Sequence, residues 1–243
     1  MEFGVILLTI GLYGLAMYVG MRERTALYVV GLAAGQLSTL ASPLWQRLYR
    51  FSYSSDFATL LSYAEHPLPR VVFMSGWIII LPALLILYLF RRHAWYTTYI
   101  AALMLGFMFL VYNLLLESFG TRGGWWLYGN AQLPLNLTVT LLAAIMNTLI
   151  TMGSLAALQI TRRYTTSSLI LFLLPVPLIL RLFVNGLLGA PIYTVFLINN
   201  YLPDLRPQSW ANTIGVLGTI ALLAWAVHVI AQTFQRQGQR PIV

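Results

Sequence analysis

Seven apolar runs of membrane-spanning length, separated by polar segments, constrain this chain more than any other feature. They fall at about 3–20, 26–45, 71–90, 97–119, 133–158, 166–190 and 209–233. About 20 apolar residues in a helix cross the ~30 Å hydrocarbon core of a bilayer. In that core only helices and closed barrels satisfy every backbone polar group. The runs are far longer than strands, so the reading is all-α: one polytopic domain, residues 1–243, of seven transmembrane helices. Of the 243 residues, 59% are hydrophobic and 8% charged, whereas a soluble domain is nearer a quarter charged. A soluble enzyme and a disordered chain are both excluded. The first run has no basic stretch before it and no small-residue cleavage site, so it reads as a retained helix.

All 14 basic residues are Arg. Without Lys there is no Schiff-base chemistry, which excludes a retinal pigment. The absence of Cys excludes disulfides and thiolate metal sites. His66, His93 and His228 lie far apart, with no metal-ligand spacing, so neither a metal nor a cofactor is expected. A net charge of +8 could suggest nucleic acid, but the Arg residues punctuate the apolar runs, as topology signals do. One side receives Arg22, Arg24, Arg91, Arg92, Arg162, Arg163, Arg236 and Arg240. The other receives Arg47, Arg50, Arg70, Arg122 and Arg206. The positive-inside bias puts the N-terminus outside and the C-terminus in the cytoplasm, in a plasma membrane of bacterial or archaeal type. Trp45, Trp95, Trp125, Trp126 and Trp210 fall at span ends, as an aromatic belt would. The longer loops, 46–70, 118–132 and 191–208, share the outer side, and irregular loops are where function concentrates.

RRHAWYTTYIAALML (91–105) is similar to RRYTTSSLILFLL (162–174). The alignment fixes an offset of 68 and implies a parallel repeat of helices 3–4 and 5–6. It places Asn113 on Arg181 and Glu117 on Asn185, two i,i+4 polar pairs at matched depth. The same pattern is also what an arginine turn followed by a threonine helix start would give.

An ionisable group inside a span costs about 2.5–3.5 kcal/mol on insertion scales, so it needs a partner or a role. Arg181 and Glu117 are the two such groups here. Two readings are open: the pair fastens two helices, or Glu117 is an acid in a cavity tuned by Arg181. Gln36, Asn147 and Gln159 read as interhelical hydrogen-bonding groups. Asp56 and Glu65 read as solvated loop residues that could line a cavity mouth. His228 reads as packing, and Asp204 as a turn residue. Trp125, Trp126 and Tyr128 follow Glu117 closely. An acid among aromatic faces suits protonation of an alkene or epoxide: the acid gives the proton and the rings face the cation. The same three aromatics would also serve as belt.

The segment Glu117-Ser-Phe-Gly120-Thr-Arg-Gly-Gly124-Trp-Trp-Leu-Tyr128 resembles the E-x-x-G-x-x-x-G…Y segment of the polytopic carotenoid-biosynthesis membrane family, which includes carotenoid hydratases. The resemblance covers about twelve residues and carries over Glu117, Gly120, Gly124 and Tyr128. The Pro-Phe-Gly and second Tyr that follow in that family are missing. The acid-and-aromatic arrangement is also similar in character to small seven-helix membrane terpene cyclases, though the Pro-x-Glu-Glu motif of heterodimeric lycopene cyclases is absent. The expectation is a membrane enzyme acting on an isoprenoid or carotenoid lipid by acid-initiated hydration or cyclisation. Glu117 would be catalytic, with Asn113, Arg181, Asn185, Trp125, Trp126, Tyr128 and Asp56 around the substrate. The alternatives are a non-catalytic lipid-binding or assembly subunit, with outer arginines on anionic headgroups, and a small transporter or sensor.

Overall fold

The computed structural model describes residues 2–63, 66–90, 98–129, 133, 137–162, 164–201 and 209–238. Six helices among these are long and apolar enough to cross a membrane: Glu2–Glu23, Leu27–Tyr49, Tyr99–Arg122, Val139–Thr161, Thr166–Leu188 and Trp210–Arg236. The protein is thus a mostly helical membrane protein. Large apolar side chains such as Phe3, Leu7, Ile100, Phe107 and Leu171 stand exposed on its outside. On a soluble domain that surface would be an aggregation hazard; here it is the face a bilayer covers.

Helix α1 is Glu2–Glu23. The next span joins α2 (Leu27–Ser38) to α3 (Ser42–Tyr49) through a 3-10 turn at Thr39–Ala41. Helices α6 (Tyr99–Arg122) and α7 (Val139–Thr161) start on threonine caps, the hydroxyls of Thr98 and Thr138 accepting from the N–H groups of Ala101 and Leu141. Thr165 caps α8 (Thr166–Leu173) in the same way. Such caps satisfy an N–H that no helical carbonyl can reach. The caps Thr98 and Thr165 stand one residue short of the offset that the sequence repeat requires, so the two helix starts do not share its register. Arg91, Arg92, His93, Trp95, Arg163, Asp204, Arg206 and Arg240, and Glu65 in the first loop, lie outside the described residues.

The third apolar run is not one helix. It divides into α4 (Arg70–Met74), a 3-10 turn at Gly76–Ile79 and α5 (Leu81–Leu89). Two residues break it. Pro82 has no N–H to offer, and Gly76 lies where a Cβ would come within 2.8 Å of the Gln36 backbone. The carbonyls freed by the break are taken by side chains of other helices. Met74 accepts from Thr9 and Gln36, Ile78 from Tyr112 and Ile79 from Thr151. Non-helical backbone at membrane depth is tolerated when protein buries it in this way. The broken segment runs antiparallel along α2. Gly76 and Ile80 lie on Gly35, Leu84 lies on Gly31, and the Tyr88 ring packs edge-on against Tyr28 at 6.2 Å.

Both loops flanking the site hold more structure than the sequence reading gives them. Residues 46–49 continue α3, and α6 runs on to Arg122. Beyond these, β1 (Phe51–Tyr53) pairs antiparallel with β4 (Trp126–Tyr128), and β2 (Thr59–Tyr63) with β3 (His66–Pro69). Two buried clusters fill the bundle. One lies at the far end from the ribbons, around Leu27, Leu87, Leu155 and Phe234. The other, around Trp45, Tyr49, Met146 and Val184, supports the site. Past Pro175 the chain forms α9 (Val176–Arg181), a π-helical turn at Leu182–Leu188, then α10 (Ala190–Tyr201) and α11 (Ser209–Gly238).

Candidate active site

The site follows from one local device in the sequence. Glu117 sits near the end of α6, and the chain turns back at Gly124, whose φ is +67°, a conformation that favours glycine. Strand β4 follows. Alternate strand residues share a face, so Trp126 and Tyr128 point one way and Leu127, exposed, the other. The shared face lands on Glu117. Trp126 Nε1 and Tyr128 OH both donate to Glu117 Oε2, at 3.0 and 2.8 Å. Asn147 Nδ2 of α7 donates to Oε1 at 3.0 Å. Gly120 makes this possible: a Cβ there would lie 2.0 Å from the Trp126 ring, so only glycine lets the indole pack against α6. Strand β1 supports the outer side, with Phe51 opposite Tyr128 and Tyr53 opposite Trp126.

Glu117 and Asn113 are buried in the bundle, and both face a cavity of about 320 Å³. Trp125, Trp126, Tyr128, Arg181 and Asn185 line it too, so seven of the eight residues named from sequence come together. Asp56 does not: it is exposed, and its backbone N–H bonds to the Ser54 hydroxyl. Glu117 and Arg181 share the cavity without a hydrogen bond between them; Arg181 instead donates to the Ser38 carbonyl at 3.3 Å. Asn113 bonds to the Phe109 carbonyl of its own helix and to Thr148. The π turn after Arg181 leaves the Asn185 carbonyl free for the Tyr49 hydroxyl, at 2.6 Å. Turns of this kind recur at functional sites.

Trp45 and Trp126 are not interfacial belt residues. Trp45 is buried in the cavity wall and Trp126 holds the carboxyl. Trp125, 39% exposed, and Phe119, 65% exposed, stand at the cavity's edge on the outside of the bundle. Sequence reasoning missed the part played by Asn147, read only as a helix fastener, and by Ser42, Tyr49 and Tyr53. Nothing in the local pattern marks these as wall residues, because remote pairing brings them in. Gln36 does join helices, accepting from Tyr13 and donating to Met74. His228 bonds Tyr99 and Gln232 far along the chain from Glu117. Among the described residues no cluster of His, Asp and Glu could hold a metal.

No family model matches the chain, no curated protein matches its sequence, and no solved structure matches its fold.

The ribbon tyrosines carry a pH signature. Desolvation in the site holds the Tyr128 hydroxyl well above its ordinary value, and the Glu117 carboxylate adds to this. Desolvation also raises Tyr53, opposed by its hydrogen bond to Ser42. Above pH about 10 an unfolded tyrosine loses its proton while these two keep theirs. The folded state then binds more protons, so stability falls as pH rises through that range. Thermal melts between pH 9 and 11 should show this loss, and Tyr128→Phe should flatten it.

Proposed function

We propose that the protein is an integral membrane enzyme that acts on an isoprenoid-type lipid by acid-initiated hydration or cyclisation, with Glu117 as the proton donor. One observation carries the reading: a buried carboxyl with three hydrogen-bond donors in an aromatic-walled cavity whose edge reaches the outside of the bundle. Trp126 can only donate, and Asn147 donates here through its amide nitrogen; both N–H groups hold the carboxylate left when the proton departs. The Tyr128 hydroxyl can donate or accept, so it can partner Oε2 with or without its proton.

The chemistry balances without a co-reactant beyond water. The proton of Glu117 goes to an alkene carbon or an epoxide oxygen, and the cation forms facing the indole and phenol rings. Water or a second alkene then supplies the electron pair for the new bond. A proton returns to the carboxylate. Purification in mild detergent followed by organic extraction tests the occupant: an isoprenoid released in about equal amount to the protein supports the reading, and phospholipid alone opposes it.

The broken segment Arg70–Leu89 is proposed as a seventh crossing, because it runs the length of α2. The arginine bias then puts the N-terminus outside and the C-terminus in the cytoplasm of a plasma membrane. The chain has no Cys, so single-cysteine labelling is clean. Exposed Ser55→Cys should react with an impermeant thiol reagent added outside intact cells, and Gln235→Cys only after lysis; the reverse pattern overturns the orientation.

A further inference from the structure

Most of the charged and hydroxyl groups of the cavity are already bonded within the protein. Both oxygens of Glu117 are taken by three donors. The Ser42 and Tyr53 hydroxyls bond to each other, and the Tyr49 hydroxyl is spent on the Asn185 carbonyl. The guanidinium of Arg181 has five N–H groups, yet its single hydrogen bond among the described residues is the 3.3 Å contact to Ser38. Buried polar groups are nearly always satisfied. A guanidinium so sparsely bonded in an aromatic-walled cavity therefore points to an occupant that brings the acceptor.

Charge narrows the choice further. A hydrocarbon offers no acceptor, and a free carbocation formed from it would share a low-dielectric cavity with an uncovered guanidinium. An anionic headgroup would sit beside Glu117 and repel the carboxylate left when its proton departs. A neutral oxygen avoids both costs. We infer that the substrate is an oxygenated terpenoid, whose carbonyl or epoxide oxygen rests on Arg181 while its apolar body lies along the aromatic wall. This rests on the isoprenoid reading above and selects within it.

The test is ligand binding to the intact detergent-solubilised protein, followed by quenching of the cavity tryptophans. Three probes of closely matched chain are farnesylacetone, its deoxygenated hydrocarbon 2,6,10-trimethylpentadeca-2,6,10-triene, and farnesylacetic acid. The ketone should bind roughly tenfold or more tightly than the hydrocarbon, as a hydrogen bond to a charged group implies. Arg181→Met should bring the ketone down to the hydrocarbon's affinity and leave the hydrocarbon unchanged. Equal binding of ketone and hydrocarbon to the unmodified protein overturns the inference and leaves the isoprenoid reading standing. Tightest binding of the acid overturns it in favour of an anion site. If none of the three binds, the isoprenoid reading fails and the inference with it. The ranking in the unmodified protein decides even if a variant does not fold.

Discussion

Glu117→Gln should lower turnover by about 10²–10⁴-fold, the usual contribution of a positioned general acid, while the protein stays folded. Gln has the size of Glu, and its carbonyl oxygen can still accept from Trp126 and Tyr128. Its amide would meet the Asn147 amide donor to donor, a conflict that a flip of Asn147 relieves. The stability change should therefore be small, about 1 kcal/mol, the worth of one ordinary hydrogen bond. A carboxyl that only fastened α6 to α7 and the ribbon would behave differently: Gln would change the melting temperature slightly and no product would depend on it. Turnover and melting temperature measured on the same preparation separate the two roles.

Gly120→Ala should be more damaging to the fold than its single methyl suggests. The added carbon would meet the Trp126 ring at 2.0 and 2.1 Å, well inside any contact distance, and the colliding atoms, at the far end of the indole, yield more readily than the hydrogen-bonded backbone of α6. The indole must move instead and release its bond to Glu117. Overpacking costs about 1–3 kcal/mol, and losing a bond to a carboxylate about 1.5–3 kcal/mol. Trp126→Leu removes the colliding ring, so adding it to Gly120→Ala should restore part of the melting temperature. If Gly120→Ala melts like the unmodified protein, the packing of Trp126 on α6 is wrong.

The membrane helices were legible because their signal is length and apolarity, which no tertiary contact has to supply. The break in the third run was not, although Gly76 and Pro82 are its visible marks. Whether such residues kink, split or leave a helix intact depends on side chains elsewhere that take the freed carbonyls, here Thr9, Gln36, Tyr112 and Thr151. The candidate site was legible as far as its chemistry is local. Glu117, Gly120, Gly124, Trp126 and Tyr128 lie within twelve residues, and strand alternation alone puts the two aromatics on one face. Asn113 and Asn185 could be named from the repeat offset, whose register the helix starts do not share, yet both line the cavity. Asp56 was misplaced because a loop carboxylate costs nothing in water, so its presence carries no information about a cavity. Tyr53 and Trp45 could not be found, because strand pairing of β1 with β4 and the packing of α3 bring them in.

The most direct test is the lipid profile of a host that makes linear isoprenoids together with their epoxides and ketones, expressing the unmodified protein, Glu117→Gln, or neither. Chromatography with mass detection should show a new lipid with the unmodified protein only: one water heavier than its precursor for hydration, or of equal mass and altered retention for cyclisation. Glu117→Gln, present in the membrane at the same level, should leave the precursor untouched. If the unmodified protein and Glu117→Gln give the same lipids as the empty host, Glu117 is not the acid of an isoprenoid enzyme, and the cavity belongs to a lipid-binding or assembly subunit instead.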